Sequence, residues 1–97
     1  MFATSLQRPV TVEIEDVTQP ATFNGLADAV AAVWNSLRAL PLGHLQYDAY
    51  RDFFGEGAVE RVSKFLDRDG ELLLSFAMAG RSHFVLIRPA SASARRR

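Results

Sequence analysis

"DRDGELLLSFAMAGRSHFVLIRPA", residues 67–90, holds the densest apolar material in the chain, and its reading decides the fold. A bilayer span needs roughly 20 consecutive apolar residues. The longest nearly apolar run here, residues 72–79, falls far short of that, so the stretch does not read as a membrane segment. Alternation describes it better. Leu72, Leu74, Phe76 and Met78 share one face of an extended chain, and Leu73, Ser75 and Ala77 share the other. After Gly80 and Arg81, "SHFVLI" supplies a partner strand that is apolar on both sides and ends at Pro89. A hairpin is the economical arrangement, and two-faced apolar strands belong in the middle of a sheet. The stretch is the core of a small domain.

Upstream, "VTVEIEDV" alternates Val10, Val12 and Ile14 against Thr11, Glu13 and Glu15, which predicts a half-buried strand. "TQPATFNG" then reads as a break, with Pro20 and Asn24-Gly25 as punctuation. "NGLADAVAAVWNSLRAL" is the clearest helix. Leu26, Val30, Val33, Leu37 and Leu40 recur at helical spacing, Asn24 is a candidate N-cap, and Pro41 ends the helix. "HLQYDAYRDFF" predicts a shorter helix whose buried stripe is Leu45, Ala49 and Phe53. Residues 57–68 fit either a helix or a strand leading into Asp69-Gly70. Helix is favoured because Ala58, Val59, Val62, Phe65 and Leu66 then form one stripe that excludes the charges. The expected fold class is therefore α+β: an N-terminal strand, two to three helices, and a C-terminal β-hairpin forming a small antiparallel sheet. Trp34, Leu37, Phe65, Leu74, Phe76 and Val85 are the expected core.

A chain of 97 residues with 48% apolar content suffices for one domain without staples. The expected division is a flexible N-terminus at 1–9, a single domain at 10–89 and a disordered basic tail at 90–97. Charge is divided the same way. Residues 1–88 carry eight Arg or Lys against eleven Asp or Glu, and Arg95, Arg96 and Arg97 cancel the difference. An acidic body disfavours nucleic acid as a partner. The amino terminus lacks the basic and apolar regions of a secretory signal, so a cytoplasmic protein is expected.

Chemistry is mostly excluded. There is no Cys, which removes thiol nucleophiles and thiolate metal sites. His44 and His83 have no metal-binding spacing, so no metal and no cofactor are expected. Adjacent Ser82 and His83 on one strand point to opposite faces and cannot form a catalytic pair. "GEGAVE" lacks the third glycine of a dinucleotide loop, and "DRDGE" lacks the Gly and Glu of a calcium loop.

One constellation stands out. Tyr47, Tyr50, Phe53 and Phe54 fall within eight residues of one short helix. If Leu45, Ala49 and Phe53 fill the core, then Tyr47, Tyr50, Arg51 and Phe54 remain for a partner surface, a composition typical of binding hot spots. The expected function is a non-enzymatic protein-binding module: a regulatory, inhibitor or immunity-type accessory protein of a bacterium or phage. Its partner would be another protein chain or a second copy of itself. The alternative rests on element order. Three helices followed by a hairpin, with Ala49, Val59 and Val62 at small or branched positions, resemble the winged-helix arrangement, which implies a DNA-binding transcriptional regulator. Phe53 in place of the usual turn glycine, and Glu60, Asp67 and Asp69 on the would-be recognition helix, depart from that pattern.

Overall fold

The computed structural model describes residues 8–90; the terminal segments, including most of the expected flexible N-terminus and basic tail, lie outside the described residues. The chain runs β1 (Val10–Ile14), β2 (Thr18–Phe23), α1 (Leu26–Leu37), α2 (His44–Phe53), α3 (Ala58–Asp69), β3 (Leu72–Met78) and β4 (Arg81–Pro89). The four strands form one antiparallel sheet in the order β2-β1-β4-β3. The fold is α+β.

The hairpin expected from residues 67–90 is present, and its second strand lies in the middle of the sheet. β4 pairs with β1 along Val12↔Ile87 and Ile14↔Val85, and with β3 along Leu74↔Val85 and Phe76↔His83. Its turn consists of two residues, Ala79 and Gly80, both at positive φ (55° and 76°). That geometry matches the right-handed twist of the flanking strands.

Two helical stripes meet the inner face of the sheet. Leu26, Ala29, Val30, Val33 and Leu37 of α1 are buried, as are Ala58, Val62 and Leu66 of α3. They pack with Val10, Val12, Ile14, Leu72, Phe76, Val85 and Ile87 in one core. Residues 58–69 are thus helix, closed by Gly70 in the left-handed conformation. Of the expected core, Leu37, Phe76 and Val85 are buried, whereas Trp34, Phe65 and Leu74 are half-buried and pack against it.

Three local expectations are corrected. Residues 18–23, expected to break the chain, form β2. Pro20 is tolerated because Val10, Val12 and Ile14 pair with Phe23, Ala21 and Thr18, which turns the Pro20 nitrogen toward the free edge, where no donor is needed. Asn24 is not the α1 cap: extended Gly25 takes that position without a side-chain bond. The stripe Leu45–Ala49–Phe53 does not enter the core. No α2 residue is fully buried, Leu45 is 78% exposed, and the C-cap residue Phe54 is the ring that goes inside.

Candidate functional site

The rotation of α2 has a polar cause. Gln46 lies against the outer edge of β3, where its Oε1 accepts from the Ala77 N–H at 2.7 Å and its Nε2 donates to the Ala77 carbonyl at 2.8 Å. One amide side chain thereby stands in for a neighbouring strand. One turn later the Tyr50 hydroxyl donates to the Ser75 carbonyl, and partial burial holds that phenol above the ordinary 10.0. Both sheet edges are therefore blunted, β3 by these two side chains and β2 by Pro20.

The four expected partner residues are accordingly distributed. Tyr47 is half-buried with its ring 5.4 Å from Trp34. Tyr50 is half-buried at the β3 edge. Phe54 is buried, edge-on to Phe53 at 5.0 Å. Arg51 is exposed and paired with Asp48 at 3.3 Å and Asp52 at 3.5 Å. α2 spends its rings on the fold and leaves Leu45 outside.

The arginines of α3 are similarly occupied. Arg61 donates to the Phe53 and Glu56 carbonyls and satisfies the end of α2. Arg68 lies over the Phe65 ring at 4.9 Å and chelates Asp69 at 2.8–3.0 Å, a hydrogen-bonded pairing that holds the Asp69 carboxyl below its usual range.

The opposite face of the sheet is different. α1 and α3 bury their stripes with the inner-face residues, and Tyr50, Phe53 and Phe54 pack against the same core, so among the described residues no helix layer faces the other side. There, register sets Leu73 beside Leu86, and Leu86 beside Glu13, with Phe84 and Ser75 in the next row and Thr11 beside Arg88 at the far end. Leu73 is 59% exposed, and Phe84 and Leu86 are partly so. The result is a contiguous apolar strip with Thr11, Ser75 and Ala77 as small neighbours and Glu13 and Arg88 at its rim.

Comparison with protein-family models, with curated proteins and with solved structures found no match. Two features stand out, the strip and one titratable cluster. His83 is buried on β4, its ring stacked on Phe76 at 5.3 Å. Its Nδ1 lies 3.1 Å from Asp16 Oδ2, and its Nε2 lies 3.3 Å from the Met78 carbonyl. Glu15 completes the group, its Oε1 accepting from the Phe84 N–H at 3.2 Å. The expectation of a hydrogen-bonded sheet histidine describes His83; its link to Asp16, 67 positions away, was not visible in spacing. The strip did leave a signal in "SHFVLI" and "ELLLSF", which are apolar on both faces. A second covering layer is the ordinary consequence of that pattern, and the described helices supply one layer only.

Proposed function

We propose that this chain is a small non-enzymatic protein-binding module, a regulator or inhibitor of another protein, and that it binds through the open face of its sheet. The observation that carries the reading is the strip Leu73–Leu86–Phe84. A contiguous strip of exposed and partly exposed apolar groups on a sheet, rimmed by charge, is the ordinary composition of an interaction surface. The blunted edges add support, because they disfavour strand addition and leave face-to-face packing as the available mode. The partner implied is a protein chain with an apolar patch large enough to cover the strip.

The test is affinity capture from the source cell with wild type and with Leu73→Lys/Leu86→Lys, alongside sedimentation velocity of each protein alone. A partner, or a self-associated species, that wild type holds and the double variant loses at equal thermal stability supports the reading. Equal retention by both proteins overturns it.

A further inference from the structure

From the Glu15, Asp16 and His83 cluster we infer a binding site for a first-row divalent transition-metal ion, of the zinc class, that ties the β1–β2 turn to β4. Among the described residues, these three side chains bring one ligand atom each to within 4.8 Å of one another. The set is one imidazole nitrogen and two carboxylate oxygens. An imidazole in the set favours zinc and its neighbours over calcium or magnesium, which prefer oxygen alone.

The two ring nitrogens of His83 meet the same kind of partner. A neutral imidazole has one donor and one acceptor nitrogen. Here both nitrogens face oxygen acceptors, Asp16 Oδ2 at 3.1 Å and the Met78 carbonyl at 3.3 Å. With the proton on Nε2, the Nδ1 lone pair looks at a carboxylate. With the proton on Nδ1, the Nε2 lone pair looks at a carbonyl. Either tautomer leaves an acceptor facing an acceptor inside a nine-tenths buried ring. A cation bound by Nδ1, Asp16 and Glu15 removes the conflict, while Nε2–H donates to Met78.

That arrangement is also the usual support for a ligating histidine, whose second nitrogen donates to a carbonyl and so fixes ring and tautomer. Glu15 is held in a comparable way through the Phe84 N–H, which leaves its second oxygen for the ion. Zinc–ligand bonds of about 2.0–2.1 Å separate neighbouring donors in a tetrahedron by about 3.3 Å. The Nδ1 to Oδ2 distance of 3.1 Å is already close to such an edge. Asp16 is exposed and borders the cleft lined by Glu13, Thr18 and Gln19, so an ion can enter and its fourth position can take water.

The competing cation is a second proton, and the experiment separates the two. The chain is stripped with EDTA, then titrated with zinc chloride by calorimetry and followed by thermal unfolding and by imidazole ¹⁵N chemical shifts. The expected result is one zinc per chain at the site, a raised melting temperature, and a shift of the His83 Nδ1 resonance. Asp16→Asn and Glu15→Gln each remove a ligating carboxylate and should weaken binding more than about tenfold, the least that loss of even an outer supporting group costs. His44→Ala, at an exposed histidine, should leave it unchanged. If Asp16→Asn does not fold, Glu15→Gln carries the comparison. No heat and no His83 shift on adding zinc, or equal binding by wild type and both carboxylate variants, overturns the site.

Discussion

Replacing Gln46 by Met removes three hydrogen bonds while keeping nearly the same side-chain volume. Those bonds are Nε2 to the Leu42 carbonyl, Nε2 to the Ala77 carbonyl, and the Ala77 N–H to Oε1. Each protein hydrogen bond contributes about 0.5–1.5 kcal/mol net. Both bonds to Ala77 are exposed, so water replaces part of what is lost. The expected cost of Gln46→Met is therefore about 1–2 kcal/mol, at the low end of the sum. Urea unfolding measures it. A sharper signature is local: the Ala77 amide lies on an edge strand, yet it should exchange slowly with deuterium in wild type and rapidly in the variant. A loss below about 0.3 kcal/mol together with unchanged Ala77 exchange would refute the view that α2 is docked by this amide.

Phe54→Ala should cost about 3–5 kcal/mol in urea unfolding, as a buried ring does; a loss under about 1 kcal/mol would return Phe54 to the surface. Tyr50 is held protonated to higher pH in the folded chain than in the unfolded one. Its contribution is therefore complete below pH 10.0 and is lost as pH rises through the folded value, so melting temperature should fall more steeply above pH 10.0 in wild type than in Tyr50→Phe. Parallel curves would count against the burial of that phenol. Pro20→Thr restores a donor to the β2 edge and should raise concentration-dependent association seen by light scattering; an unchanged profile would show that Pro20 does not protect this edge.

The parts of the fold that were legible in the sequence are those written in apolar periodicity. The α1 stripe, the α3 stripe and the alternation of β1 and β3 each record one buried face, and each appears where its residues place it. β2 was missed because Pro20 ordinarily argues against a strand, and only the register shows that its nitrogen faces a free edge. The α2 orientation was missed because Gln46 and Tyr50 bind backbone groups of a strand 31 and 25 positions later, contacts that hydrophobic spacing does not encode. Once those polar contacts fix the helix, Phe54 turns inward and Leu45 outward. The same limit applies to His83 and Asp16, which the sheet register and the turn at Asp16 (φ 66°) bring together. The apolar strip is the opposite case. Its residues were plain in the sequence, but which of them were covered depended on where the helices packed.

Hydroxyl-radical footprinting of the wild-type chain, free and in its captured complex, tests most directly whether the open sheet face is the binding surface. Leu73, Phe84 and Leu86 should lose reactivity on binding while Leu45 and Tyr47 keep theirs. Protection of Leu45 and Tyr47 with Leu73 and Leu86 unchanged would contradict it and would place the interface on α2.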